Sequence, residues 1–367
     1  MKVALVYDRV NKFGGAERLL LTLHRLFPKA PLFTLVYEPK TSVWAKDIQV
    51  IPTFLNKIPF LRTRHEWLAP LAPLAFETLN LSSFDVVISL TSSDAKSVLT
   101  KPHQLHICYC LTPTRYFWSG ADGYSSDKKF KLIPKFLKKY FRTVDLLLSS
   151  RPDEYIAISS EVKNRIKKYY RRDSNVIYPP IEEKFYSKSP LSRNDRDNYL
   201  LVSRLVPYKK TSLAVSAFNK LNKTLIIIGE GSELENLRRQ AGPNISFVGK
   251  VNDERLIDYY RHAKAIIFPQ DEDFGLVPLE SQACGTPVIA YGKGGALETI
   301  VHGQTGLFFN EQTEESLTKA ILEFEKLKIN PDDCVKNAKR FNYQTFSSEF
   351  SDKVDKFWDE HLKRQQS

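Results

Sequence analysis

No run of about 18 apolar residues occurs anywhere in this chain, so no segment is expected to cross a membrane as a helix. Cysteine is scarce. The four residues Cys108, Cys110, Cys284 and Cys334 show no spacing that pairs them as metal ligands. Buried, reduced thiols in a cytoplasmic protein are the expectation. Cys108 and Cys110 fall within one apparent strand and are expected on opposite faces of it. None of the seven histidines shows metal-ligand spacing, and no acidic cluster suggests a metal site. The dinucleotide fingerprint G-x-G-x-x-G is missing. Internal repeats and low-complexity tracts are missing too. The opening Met1-Lys2-Val3-Ala4-Leu5-Val6-Tyr7-Asp8 stops at an acid after one short apolar stretch. That is a strand rather than the hydrophobic region of a signal peptide.

What is present is a globular composition. Apolar residues make up 42% of 367, enough to pack cores, and the length suits two domains better than one. Net charge is +12 and unevenly spread: residues 1–180 carry 28 Lys and Arg against 15 Asp and Glu, the remainder 26 against 27. Most of the excess lies in Lys128–Arg142 (KKFKLIPKFLKKYFR) and Lys163–Arg172 (KNRIKKYYRR), with seven and six basic residues and no acid. A basic, aromatic-rich surface suits anionic lipid, nucleic acid or a phosphorylated substrate. The plainer reading is a pair of solvated helix faces.

Short runs rich in Val, Ile and Phe recur between helical segments. Predicted strands are 2–7, 85–90, 106–111 and 155–159 in the first half, and 199–205, 224–229, 245–248, 265–269, 287–291 and 306–309 in the second. Many end in Gly, Pro or Ser, the pattern of parallel sheets covered on both faces. Their alternation with helices predicts doubly wound α/β domains. The break is expected at Tyr178-Pro179-Pro180-Ile181, which gives domains 1–180 and 181–345. In the remaining 346–367, Phe346, Phe350, Val354 and Phe357 stand at helical spacing and predict a buried face.

Glu272 and Glu280 have seven residues between them. They follow the apolar run Ala265-Ile266-Ile267-Phe268-Pro269 and lead into a helix closed by Gly285. In an open α/β sheet, ligands bind where strand ends meet helix N-termini. A carboxylate on the first helical turn can accept two ribose hydroxyls, and Gly275 lets a ligand approach the backbone. The alternative is an acidic surface loop. Arg204 and Lys209 leave the predicted strand 199–205 on a loop containing Pro207. Both can reach a common anion, Arg through paired hydrogen bonds and Lys as a compact charge. Gly14-Gly15 follows the first strand and enters a helix; adjacent glycines allow an anion-binding concavity, and a plain turn has the same signature. Gly229 and Lys250-Val251 follow two further strands.

Taken in order, four segments carry a resemblance. Gly14-Gly15-Ala16-Glu17 is similar to the amino-terminal glycine loop of group 1 glycosyltransferases, family four. Ser203-Arg204-Leu205-Val206-Pro207-Tyr208-Lys209-Lys210 resembles their Arg/Lys diphosphate clamp. Glu272 to Glu280 resembles their Glu-(seven residues)-Glu motif, and Gly292-Lys293-Gly294-Gly295-Ala296-Leu297-Glu298-Thr299 their late glycine turn. The resemblance covers roughly residues 1 to 350 and is nearest to mannosyltransferase-like members that build bacterial surface polysaccharides.

The resemblance implies two Rossmann-like, doubly wound parallel-sheet domains facing across a cleft, with a final helix crossing back to the first. It implies retaining transfer from a nucleotide sugar to a glycan or lipid-linked acceptor. GDP-mannose is the expected donor and a UDP- or dTDP-sugar the alternative. Arg204 and Lys209 would stabilise the departing diphosphate where other transferases use a metal, so neither metal nor cofactor is expected. Glu272 and the segment Phe274, Gly275, Leu276 and Val277 are assigned to the donor sugar, and Glu280 to the ribose. Gly14, Gly15, Gly229, Lys250 and Val251 are assigned to the rest of the donor. Two glutamates also invite a glycosidase reading, set aside because both lie in one loop beside a diphosphate clamp.

One segment departs from the family. Tyr109-Cys110-Leu111-Thr112-Pro113 stands where members commonly read Cys-His-Thr-Pro, so Leu111 replaces a histidine usually placed beside the donor sugar. That keeps open a catalytically weak sugar-nucleotide-binding subunit of a synthase complex. Arg115 is a candidate acceptor contact. Lys131, Lys135, Lys138 and Lys139 are expected to attach the protein peripherally to the cytoplasmic face of an anionic membrane. Nucleic acid is not expected as a partner, because no recognition motif accompanies the charge. Nothing in the sequence sets the oligomeric state.

Overall fold

A computed structural model describes residues 1–63, 70–115, 117–118, 135–186, 188–192 and 196–366. The chain forms two units, Met1–Pro180 with Gln344–Ser367, and Ile181–Tyr343. The first holds strands β1 (Val3–Tyr7), β2 (Leu32–Thr34), β3 (Val50–Pro52), β4 (Val86–Thr91), β5 (Leu105–Cys110), β6 (Glu154–Ala157) and β7 (Asn175–Val176). They form one sheet in the order β3-β2-β1-β4-β5-β6-β7, with parallel neighbours throughout. Every residue of β4 and β5 is buried, which is why both read as near-continuous apolar runs. The helix Tyr343–Gln366 joins this unit and buries Phe346, Phe350, Val354 and Phe357. The Phe350 ring lies 5.3 Å from that of Tyr109 and 6.4 Å from that of Phe27.

The second unit holds β8 (Asn198–Val202), β9 (Leu225–Ile228), β10 (Ile245–Gly249), β11 (Ala263–Phe268), β12 (Val288–Tyr291) and β13 (Gly306–Phe309). Their order is β10-β9-β8-β11-β12-β13, again parallel. Helices Thr211–Leu221 and Glu314–Lys326 press Val215, Phe218, Leu317, Ile321 and Phe324 onto Tyr199, Leu201, Ile227, Ile267 and Ile289. Burying each large apolar side chain contributes about 1.5–3 kcal/mol. The fold is therefore two doubly wound parallel-sheet α/β units. In each, the chain builds outward from a central strand and then returns to that strand's other side. The winding reverses between β1 and β4 in the first sheet, and between β8 and β11 in the second. Strand-end loops diverge at such a reversal and open a crevice.

All ten predicted strands are present, and three were missed. β2, β3 and β7 have two or three residues each, too few to show a period. β8 ends three residues before the predicted Leu205. Leu205 is fully buried, but in a loop: its N–H donates to the Glu230 carbonyl at 2.9 Å. Its apolarity reports burial, not strand. The expectation that Cys108 and Cys110 point oppositely is wrong. Residues two apart share a strand face, and Cys108 hydrogen-bonds Cys110, whose thiol is pushed up first by burial and then by that neighbour. All four cysteines are free and buried.

Candidate functional site

The crevice between β8 and β11 gathers the charged candidates of the second unit. The loop after β8 carries Arg204 and runs through a tight turn, Pro207–Lys209. The loop after β11 carries Glu272. The Lys209 Nζ and the Glu272 Oε1 form an ion pair, and both side chains are largely withdrawn from solvent, at 13% and 18% exposure. Tyr208 stands between the cations. Its hydroxyl accepts a hydrogen bond from the Arg204 guanidinium, and its ring centroid lies 5.9 Å from the Arg204 Cζ and 5.3 Å from the Lys209 Nζ. Sequence reading passed over Tyr208 as a site residue. The available signal was an aromatic adjacent to one cation and four residues from the other, a spacing suited to cation–π contact.

Glu272 is held from below by the late glycine turn. It bridges to Gly294, and the Gly295 N–H donates to the Glu272 carbonyl at 2.9 Å. A Cβ on Gly295 would stand 2.2 Å from the Phe274 carbonyl oxygen, so only glycine permits this approach. The turn's exposed Lys293 pairs with Asp271 at 3.5 Å. Phe274 itself is buried, edge-on to Phe341 at 5.8 Å, so only its backbone is available to a ligand. Gly275, with φ 99°, turns the chain into the helix Leu276–Ala283 without a side-chain cap. The first N–H groups of a helix have no intrahelical partner, which leaves those of Leu276 and Val277 to meet an anion or hydroxyl. Pro278, the third residue, has no N–H to satisfy.

Glu280 differs from expectation. Because the helix starts at Leu276, Glu280 is its fifth residue, in the second turn and not the first. It is 8% exposed, and its Oε2 accepts a hydrogen bond at 3.0 Å from the fully buried Tyr260. One carboxylate oxygen is thus already engaged by the protein. Along the same sheet edge, Gly229 follows β9, where a Cβ would overlap the Ser203 carbonyl oxygen at 1.8 Å. Lys250 is exposed and Val251 half-buried beyond β10. β10 lies two strands from β8, about 10 Å away. The candidates therefore form a row along the carboxyl edge of one sheet. Among the described residues, no group of three His, Cys, Asp or Glu is placed to hold a metal.

The β1–β4 crevice of the first unit is built differently. Gly14 and Gly15 do begin a helix, Gly15–Leu26, but neither adopts a positive φ: Gly14 is extended at φ −169°. Neither glycine has a left-handed backbone here, which fits the plain turn that shares the same signature. Glu17 is in the first turn of that helix, 1% exposed, and accepts a 2.6 Å hydrogen bond from the Tyr7 hydroxyl. Its carboxylate already supplies the negative charge a helix N-terminus favours. Sequence reading missed the carboxylates here. Asp8 follows β1 and accepts from the Thr91 hydroxyl at 2.6 Å and from the Ser92, Asp94 and Ala95 N–H groups at 2.8–3.0 Å. Asp94 is pushed up to about 6 by burial, against the pull of Lys96. Lys96, buried, pairs with Asp145 at 2.7 Å. Burial lowers its pKa, but Asp145 and Asp94 raise it further, so it stays charged. Asp145 also accepts from Thr114 at 2.8 Å, Trp118 at 2.6 Å and Tyr170 at 2.9 Å. These bonds fix the loop after β5, on which Arg115 is half-buried and Leu111 half-exposed.

Of the basic segment, Lys131 lies outside the described residues, and Lys135 opens the helix Lys135–Leu148. Lys139 is exposed and Lys138 partly so. The aromatics divide between the faces. Phe141 stacks on Phe117 at 5.5 Å, whereas Phe136, Tyr140 and Leu147 are 74%, 60% and 66% exposed. No helix among the described residues is long and apolar enough to cross a membrane.

Residues 182–341 match the family model described as glycosyl transferases group 1. Among curated proteins, the chain is 26% identical over 211 residues to the GDP-mannose-dependent alpha-(1-6)-phosphatidylinositol monomannoside mannosyltransferase of Mycobacterium tuberculosis, covering 50% of this chain and 55% of that one. The chain spans about half the length of the curated relatives it matches. Among solved structures, sucrose-phosphate synthase of Thermosynechococcus elongatus superposes with a TM-score of 0.74 at 17% identity, covering 98% of this chain and 100% of that one. HepE of Anabaena in complex with UDP-glucose superposes with a TM-score of 0.73 at 19% identity, covering 97% and 100%. At these identities the superpositions establish the fold.

Proposed function

We propose that this chain, which belongs to the group 1 glycosyltransferases through its second unit, transfers a sugar from a nucleotide-sugar donor to a glycan or lipid-linked acceptor in surface polysaccharide synthesis. The observation that carries this reading is the β8–β11 crevice, where Arg204 and Lys209 flank Tyr208 beside Glu272. Two cations at one strand end suit a diphosphate. As the glycosidic bond to the diphosphate breaks, negative charge accumulates on its oxygens, and fixed cations lower the energy of that state. Glu272 and the N–H groups of Leu276 and Val277 offer an acceptor and donors for the sugar. Glu280, oriented by Tyr260, is assigned to the ribose. The proposed stereochemistry is retention, with the departing diphosphate taking the acceptor proton. No metal is assigned a role.

GDP-mannose is the donor we favour, on the likeness to a GDP-mannose-dependent relative; a UDP- or dTDP-sugar is the alternative, and HepE binds UDP-glucose. Leu111 at the end of β5 favours a second reading, a silent sugar-nucleotide-binding subunit. A thermal-shift panel of GDP, UDP, ADP and dTDP tests the site: a ligand at about 100 times its Kd adds roughly 2.7 kcal/mol of stability. Silence with all four would refute the reading. Release of free sugar from the matching donor then separates an enzyme from a silent subunit.

The acceptor side of the proposal is peripheral attachment to an anionic membrane at the cytoplasmic face. Phe136, Lys139, Tyr140, Thr143 and Leu147 recur at helical spacing on the outward side of Lys135–Leu148. Exposed aromatics among cations insert shallowly while the charges meet head groups. The first 180 residues supply the excess positive charge.

A further inference from the structure

In the first unit, β1, β2 and β3 are parallel neighbours, so the loops that follow them leave one sheet edge. Hydrogen bonds tie those loops into a single platform. The Val10 N–H donates to the Val36 carbonyl at 2.9 Å, and the Glu38 N–H donates back to the Val10 carbonyl at 2.8 Å. The Trp44 indole N–H donates to the Lys12 carbonyl and the Thr41 hydroxyl to the Asn11 carbonyl, both at 2.8 Å. The Asn56 side chain accepts from the Tyr37 N–H at 2.8 Å, and its carbonyl accepts from the Arg62 guanidinium at 2.9 Å. The Asn11 amide links the first loop to the third by donating to the Arg62 carbonyl at 2.8 Å. Ala45 and Leu55 anchor the platform in the core. Five large apolar side chains on it are nevertheless left in solvent. Phe13, Val43, Phe54, Ile58 and Phe60 are 44% to 64% exposed.

We propose that this platform is a second membrane contact, whose apolar side chains enter an anionic bilayer shallowly. This rests on the membrane reading above and deepens it. Grouped exposed apolar side chains mark surfaces that meet a protein or a membrane, and here charge decides between them. Within residues 9–14 and 35–60, Lys12, Lys40, Lys46 and Lys57 are exposed, and Asp47 is the one exposed acid. Apolar groups among cations suit acyl chains under anionic head groups. The Arg18 guanidinium lies 5.6 Å over the Phe13 ring, and the Trp44 ring lies 6.0 Å from it. That cluster joins an apolar body to a polar rim, the chemistry of a bilayer interface. The two contacts stand on either side of the β1–β4 crevice: the platform follows β1 to β3, and the helix Lys135–Leu148 follows β5. With both on a bilayer, the crevice mouth meets the head-group layer, where a lipid-linked acceptor presents its sugar. Each contact alone is weak, and engaging two at once multiplies their affinities, so losing either releases the protein.

All four cysteines are buried, so Ile58→Cys supplies one accessible thiol for an environment-sensitive fluorophore. With vesicles of phosphatidylcholine and phosphatidylglycerol, its emission should shift to the blue and be quenched by lipids carrying a nitroxide near the head group. Phe54→Ser combined with Phe60→Ser should loosen vesicle binding at least about tenfold in sedimentation. The melting temperature should stay near wild type, because both side chains are exposed. A label that remains in water while the protein sediments with vesicles would overturn the proposal and leave attachment through Lys135–Leu148 standing. So would a double variant that binds vesicles as wild type does. A blue shift without vesicles that grows with protein concentration would mean that a second copy covers the platform, and overturns the proposal as well. Wild type that does not sediment with anionic vesicles removes both membrane contacts, with the donor site judged separately by nucleotide binding.

Discussion

Replacing Gly295 by alanine places one methyl group where the late glycine turn meets the Glu272 loop. The Cβ would stand 2.2 Å from the Phe274 carbonyl oxygen and 2.3 Å from the Phe274 Cα. Ordinary contact begins near 3.4 Å, so turn and loop must part by about 1.2 Å. Gly295 has φ −63° and ψ −17°, which alanine adopts freely, so the effect is displacement and not backbone strain. Overpacking a buried contact costs about 1–3 kcal/mol. Weakening the 2.9 Å bond from Gly295 N–H to the Glu272 carbonyl costs about 1 kcal/mol more. For a domain of this size the sum lowers the melting temperature by roughly 4–16 °C. The functional loss should exceed the loss of folded protein, because Glu272 moves with its carbonyl. A displacement of about 1 Å at a positioned group costs on the order of 10²-fold in turnover. Melting followed by circular dichroism, and donor turnover well below the transition, measure the two effects separately. Lys293→Ala, exposed on the same turn, is the control and should change neither. Wild-type melting and turnover in Gly295→Ala would refute the reasoning, because the turn would then not position the loop.

Arg204→Ala and Lys209→Ala should each lower kcat/KM by roughly 10²-fold or more, with little change in melting temperature for the exposed Arg204 and a lower one for Lys209, whose loss breaks the partly buried pair with Glu272; wild-type turnover in either removes it from the diphosphate site. Glu280→Gln should weaken nucleoside diphosphate binding in titration calorimetry, and Tyr260→Phe, which strips a buried carboxylate oxygen of its donor, should lower stability by about 1–3 kcal/mol. His106 is buried, touches Ser89 through its Nε2 at 2.9 Å, and is pushed down to about 3 by burial and by Arg151. The unfolded chain takes up its proton below about 6.5 and the folded protein does not, so this stabilisation is full above that value and fades as pH falls. The gap in unfolding free energy between wild type and His106→Gln should therefore shrink by about 2 kcal/mol from about pH 7 to about pH 5 in urea titrations; an unchanged gap would mean that His106 already protonates in the folded state. Asp94, raised to about 6, acts in the opposite sense, its contribution present at low pH and lost as pH rises through that value. Changing Lys131, Lys135, Lys138 and Lys139 to Glu should abolish sedimentation with anionic vesicles at low salt, while melting and donor hydrolysis stay near wild type; retained vesicle binding excludes the membrane proposal.

The second sheet was legible because most of its strands are largely buried and many are bounded by Gly, Pro or Ser, as in Ala263–Phe268 and Gly306–Phe309. What misled was apolarity without extended backbone, as at Leu205, and strands such as Asn175–Val176 that are too short to show a period. The charged residues of the β8–β11 crevice were readable because each stands just past a strand end. The Asp8–Asp94–Lys96–Asp145 network was not, since its members are spread from residue 8 to residue 145 and only the folded sheet assembles them. Gly14-Gly15 shows a different limit: a dipeptide permits a left-handed turn without requiring one, and neither residue adopts it.

The helix Tyr343–Gln366 has a consequence for synthesis. Residues 181–343 form a unit whose two ends meet, the Ile181 N–H donating to the Phe341 carbonyl at 2.8 Å. On a ribosome that unit is complete before the helix emerges. The first sheet, whose last strand ends at Val176, 167 residues before Tyr343, must wait with the places of Phe346, Phe350, Val354 and Phe357 unfilled. The unit translated first is thus the one finished last, and it is exposed to proteases and aggregation for longer. Removing the residues after Tyr343 should leave a chain whose second unit is folded and whose first is not, a pattern that limited proteolysis reads directly.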